Sequence, residues 1–228
     1  MSTPARCLFS VGIAADAPVA DPQVAARVVA LADAAGVDLL VLGEWRDAGR
    51  PAAFDPLIVA AWMAARTEGV GLVAALSALH CEPFHVARAL SALDFLSAGR
   101  SGWMPQSRGV DWPRYGDVGR VDPAQELPKA IDFIAATESL WDSWDSDALI
   151  IDAASGAYLH PERVRRSDHR GPFHQVQGPL NAARPPQGHP LRLVAAGDPL
   201  AQQVGADLGL VRSAEPARNA ARALRSEE

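Results

Sequence analysis

A chain of 228 residues, 49% hydrophobic and 21% charged, is long enough to bury one sizeable core. Lys and Arg total 21 against 27 Asp and Glu, a net charge of −6, which disfavours nucleic acid and anionic membranes as primary partners. Two cysteines, Cys7 and Cys81, cannot build a disulfide framework or a cysteine zinc site, and no apolar run approaches the roughly 20 residues of a membrane span; a cytoplasmic setting is expected.

Apolar runs alternate with capped helices through the first hundred residues. LFSVGIA, from Leu8 to Ala14, reads as a buried strand, and Asp21-Pro22 supplies the N-cap and first-turn proline of a helix that stops at Gly36. LLVL, Leu39 to Leu42, is a second strand, followed by a loop from Gly43 to Ala53. Asp55-Pro56 opens another helix, and GLVAA, Gly71 to Ala75, is a third strand. Pro83 starts a helix closed near Gly99, and Ser101 to Met104 is a weaker fourth strand. Repeated β-α units predict a parallel sheet or barrel, because parallel neighbours need crossover helices. A helix follows from about Ala124 to Trp141. The stretch from Ser143 to Gly188, rich in Pro, Gly, Asp and Arg, reads as a loop-rich excursion across one end of the barrel. LRLVA, Leu191 to Ala195, and LGLV, Leu208 to Val211, complete six strand-like runs, and a polar terminal helix ends the chain. The whole, 1–228, is expected to form a single domain.

Chemical signals outside any family are sparse. Neither a lysine-bearing phosphate loop nor a strand followed by GxGxxG is present, which disfavours both standard nucleotide sites. The pairs His80 with His85 and His169 with His174 lack the helical i, i+4 spacing of a metal site, so no metal is expected. Cys81 beside His80 reads as a buried thiol rather than a nucleophile, and Trp141 with Trp144 as anchors of the excursion. Glu44, directly after the second strand, stands where parallel β/α folds place ligand-binding groups, although a solvated loop carboxylate is an equal reading. No catalytic acid or base is identifiable.

Two segments carry a resemblance. FDPLIVAAWMAARTEGVGLVAALSALHCEPFHVARALSALDFLSAGRSGW resembles the bacterial-luciferase-like flavin-dependent oxidoreductases, in which an apolar helix, a strand, a Pro-His-Ala-Arg helix and a Leu-Asp-x-Leu-Ser-x-Gly-Arg turn follow in this order. LWDSWDSDALIIDAASGAYLHPERVRRSDHRGPFHQVQGPLNAARPPQGHP is similar to the branch of nitrilotriacetate, dibenzothiophene-sulfone and pristinamycin-type monooxygenases. The resemblance implies a TIM-type β/α barrel acting as a monooxygenase on a small organic substrate, with reduced FMN delivered by a separate flavin reductase. With six strand-like runs the barrel is expected to be incomplete, since a full one takes about 250 residues. Its open edge predicts a homo- or hetero-oligomer.

The resemblance also assigns residues. Ser77 ends the third strand, Glu44 holds the family's acidic position after the second, and Gly197 belongs to a loop after the fifth strand that cups the FMN phosphate. All three are expected to bind cofactor. Other positions depart from the family: Met104 replaces an asparagine at the flavin, Leu127 and Pro128 stand near a lost Arg-Tyr pair, and Pro199, preceded by Asp198, replaces the phosphate-binding serine. These changes predict weak FMN binding that depends little on the phosphate. They leave two readings open, a flavin-dependent monooxygenase and a flavin-site-degenerate member serving as a binding or oligomerisation protein.

Overall fold

In the computed structural model, residues 10–14, 21–43, 54–108, 119–195, 198–205 and 208–210 are described. Their order is β1 (Ser10–Ala14), α1 (Pro22–Ala34), β2 (Leu39–Gly43), α2 (Pro56–Ala64), β3 (Gly71–Ser77), α3 (Pro83–Leu96), β4 (Ser101–Gln106), α4 (Pro123–Trp141), the short strands β5 (Leu149–Asp152), β6 (Ala157–Leu159), β7 (His169–Arg170) and β8 (Gln175–Val176), then β9 (Leu191–Ala195), α5 (Leu200–Val204) and β10 (Leu208–Leu210).

Both Asp-Pro starts work as their sequence suggests. The Asp21 carboxylate accepts the amides of Gln23 at 2.8 Å and Val24 at 3.4 Å, and Asp55 those of Leu57 at 2.8 Å and Ile58 at 3.2 Å. Each cap satisfies helix-end donors that would otherwise lack partners, while proline at the first position has no amide to lose.

Six strands form one sheet in the order β1-β2-β3-β4-β9-β10, every pair parallel. These are the six runs expected from the sequence. Alternation along each strand divides the apolar residues into two cores. Leu40, Leu42, Leu72, Ala74, Leu76 and Trp103 face the helices and join Met63, Leu90, Phe133 and Trp141 in the larger one. Leu39, Val41, Val73, Ala75, Met104 and Leu193 form the other, on the opposite face of the sheet.

The 143–188 excursion holds two antiparallel hairpins, β5-β6 and β7-β8. It packs along the flank of α3 and α4 rather than across the strands, and its foot reaches the amino end of β4. The Trp141 indole donates to Ala87 O at 3.0 Å and the Trp144 indole to Leu180 O at 2.8 Å, with both rings buried. The Ser91 hydroxyl donates to Ala183 O. The Trp141 bond ties α4 to α3, and the Trp144 bond closes the excursion on itself while the Trp144 ring joins the larger core, so of the two only Trp144 holds the excursion to the body, by packing. Asp132, in mid-α4, receives the amides of Phe173 at 2.8 Å and His174 at 2.7 Å and the His169 ring at 2.8 Å.

Candidate active site

Two-residue periodicity extends the second core toward the carboxyl ends of the strands. Past Val41, Ala75, Met104 and Leu193 on that face come Gly43, Ser77, Gln106 and Ala195. The floor is apolar and tightly drawn together. A side chain at Gly43 would bring its Cβ within 2.5 Å of the Ala75 Cβ, and one at Gly102 would press within 3.0 Å of Val73 Cγ2 and Leu191 O. Small residues here let the layer pack tightly, and the layer, itself buried, ends in polar groups at its carboxyl rim.

Ser77 stands on that rim, half-buried and in register with Gln106 of β4. Its hydroxyl oxygen accepts the Leu79 amide at 3.2 Å, and the Ala78 amide donates to Gln106 O at 3.0 Å, so the turn after β3 is held against the end of β4. Glu44 and Gly197 lie outside the described residues. Met104 is buried in this layer, a thioether packed among aliphatic side chains at the position where the resemblance implies an amide.

Beyond β4 the fully buried Ser107 turns its hydroxyl to Asp198, 2.9 Å from Oδ1 and 3.1 Å from Oδ2. The Leu200 amide donates to the same Oδ1 at 2.9 Å. Sequence reasoning missed Gln106 and Ser107 by ending the strand at Met104, because Pro105 argues against a continuing central strand. The ladder explains the exception. β9 pairs with β4 only at Gly102 and Trp103, whereas β3 pairs with it as far as Gln106, so Pro105 has a strand partner on one side only.

Other candidates prove structural. Burial pushes the Cys81 thiol up to about 11, which leaves it protonated and a poor nucleophile at neutral pH. His169 is committed to Asp132, and among the described residues no group of three or more His, Cys, Asp or Glu side chains is placed to hold a metal ion. The Leu-Asp-x-Leu-Ser-x-Gly-Arg run, Leu93 to Arg100, lies at the opposite, amino end of the strands. There Asp94 accepts the Ser101 hydroxyl at 2.7 Å and the Gln187 amide at 3.0 Å, and Arg100 donates to Val70 O and, at 2.8 Å, to Thr67 O. That signature fixes the foot of β4 and takes no part in the rim.

Comparison with known proteins agrees with this architecture. The family model for luciferase-like monooxygenases matches residues 6–225. The chain is 35% identical over 205 residues to a pristinamycin IIA synthase subunit of Streptomyces pristinaespiralis, covering 87% of this chain and 69% of that one. It is 39% identical over 149 residues to dibenzothiophene-sulfone monooxygenase of Rhodococcus erythropolis, covering 64% of this chain but only 33% of the relative. Among solved structures, riboflavin lyase with modified FMN and its substrate riboflavin superposes with a TM-score of 0.78 at 27% identity, covering 96% of this chain and 58% of the other. Among the described residues no helix is long and apolar enough to cross a membrane.

Proposed function

Because the chain belongs to the luciferase-like monooxygenase family, we propose that it serves as the oxygenase part of a flavin-dependent monooxygenase acting on a small organic substrate. The observation that carries this reading is the buried apolar layer of Val41, Val73, Ala75, Met104 and Leu193, which ends in the half-buried polar rim of Ser77 and Gln106 at the carboxyl ends of parallel strands. An isoalloxazine ring is planar and largely apolar, with hydrogen-bonding groups on its edge, and the rim end of such a layer, apolar below and polar at its border, suits it. Reduced flavin, supplied by a separate reductase in the cytoplasm, would provide the oxygen activation. The protein's share is to hold ring and substrate together and exclude water. Met104 and its neighbours would keep water from the ring face, and Ser77, with Glu44 by resemblance, would meet polar edges of the ligand. The ring end therefore fits the residues present. The phosphate end does not, because the hydroxyl of Ser107 and the amide of Leu200 already serve the Asp198 carboxylate.

One of its relatives works as part of a multi-chain synthase. We take the present chain likewise to work in an oligomer, with a second luciferase-like chain or a further copy of itself.

Anaerobic titration of the purified chain with photoreduced flavin, read by quenching of its six tryptophans, tests the function. Saturable quenching at micromolar flavin is expected. Its absence would remove the oxygenase reading.

A further inference from the structure

The family resemblance puts the flavin phosphate at the loop after β9, whose described part, from Asp198 into α5, lies against Ser107 at the end of β4. Among the described residues its donors are used internally. Ser107, with no solvent exposure, gives its hydroxyl hydrogen to the Asp198 carboxylate, and the Leu200 amide points to the same group. Asp198's own amide donates to Ala195 O at 3.0 Å, that of Ala201 to Asp198 O at 3.0 Å, and that of Gln202 to Pro199 O at 3.2 Å. Pro199 has no amide hydrogen to give. Between residues 198 and 202 every backbone donor has an intramolecular acceptor, and the Asp198 carboxylate itself takes the Leu200 amide and the Ser107 hydroxyl.

We propose that Asp198 occupies the phosphate's place with its own carboxylate, so that this chain selects flavin by ring and ribityl chain and takes riboflavin at least as tightly as FMN. The proposal rests on the flavin reading above and deepens it by naming which flavin the site takes. Two electrostatic facts lead there. A phosphate entering the corner would meet a carboxylate of like charge, and it would find the donors that should reward it already bonded. Riboflavin carries neither cost, since its terminal hydroxyl is neutral and can donate to a carboxylate oxygen.

The test measures dissociation constants of oxidised riboflavin and FMN, by tryptophan quenching and calorimetry, for the full chain, for Asp198→Asn and for Asp152→Asn. The last removes one negative charge from the exposed β5-β6 hairpin and controls for net charge. Expected are riboflavin binding equal to or tighter than FMN binding in the unaltered chain and, in Asp198→Asn, FMN binding strengthened about tenfold or more with riboflavin unchanged. Asp152→Asn should leave both affinities in place. FMN bound about tenfold tighter than riboflavin by the unaltered chain would overturn the proposal while leaving the oxygenase reading intact. An unchanged FMN-to-riboflavin ratio in folded Asp198→Asn would also overturn it. Failure of both flavins to bind would overturn the oxygenase reading, and the proposal with it. The ratio in the unaltered chain requires no variant, so a poorly folding Asp198→Asn does not blunt the test.

Discussion

Asp132 shows how much of this protein's stability hangs on single carboxylates. Its oxygens are buried in the 169–174 turn, and a Cβ on Gly171 would lie 1.7 Å from Asp132 Oδ1, an impossible approach. Gly171→Ala is therefore expected to lower unfolding free energy by about 2–3 kcal/mol. Asp132→Ala should cost about 1–3 kcal/mol for each amide left unsatisfied. Urea denaturation checks both. Acid adds a second measurement. Burial pushes the His174 imidazole below its ordinary 6.5, outweighing the nearby Asp132 and Glu82 that favour its charge. The unfolded chain thus binds that proton first, and stability declines as pH falls from about 6.5 toward the lower folded value. Burial alone would raise the Asp132 carboxyl, but the Phe173 amide, His169 and the His174 amide together hold it below 3.8. Its contribution is present above 3.8 and is lost as pH falls through the folded value, in the same direction. His174→Phe, which also removes a buried Nε2 lacking a hydrogen-bond partner, should flatten the decline that sets in below about pH 6.5 and leave the steeper one at lower pH. An unaltered profile would show that His174 does not carry the upper part.

The elements easiest to read in the sequence are those whose cause is local. Asp21, Asp55 and Pro83 announce helices α1, α2 and α3 through caps and fixed φ, and four-to-seven-residue apolar runs announce strands buried on both faces. The hairpins of the excursion were not legible, because β5 exposes three of its four side chains and β7 and β8 have two residues each, too short for any period to register. Nor could spacing reveal that Asp94 meets Gln187, 93 residues later, or that Ser107 meets Asp198, 91 residues later. Of the site residues carried over by resemblance, Ser77 stands at the rim of the floor, while Glu44 and Gly197 lie outside the described residues. Within β5, Ile151 has φ of 53°, a left-handed conformation that a β-branched residue rarely adopts, and its side chain is 63% exposed. It gains little burial there to offset the strain. Ile151→Asn is expected to raise stability by about 1 kcal/mol, seen as a higher urea midpoint with unchanged slope.

For the molecule as a whole, the end strands β1 and β10 each have one neighbour among the described residues, which leaves strand edges of the kind that other chains pair with. Sedimentation at micromolar concentration is expected to give a dimer or larger species, and a well-folded monomer would argue against it. Because Ser91, Asp132 and Gln187 stitch the excursion to α3, α4 and β4, thermal unfolding followed by tryptophan fluorescence and by far-ultraviolet circular dichroism should coincide in one transition. Two separated transitions would mark the excursion as an independent unit. The Gln187 junction also bears on the order of events during synthesis. On the ribosome the first four strands emerge long before residue 187, so the Asp94 carboxylate must wait with the foot of β4 half-tied until translation has passed the excursion. β9, which follows at once, then meets a strand whose amino end has only just been secured, and the sheet grows past β4 in a single late step timed by the ribosome.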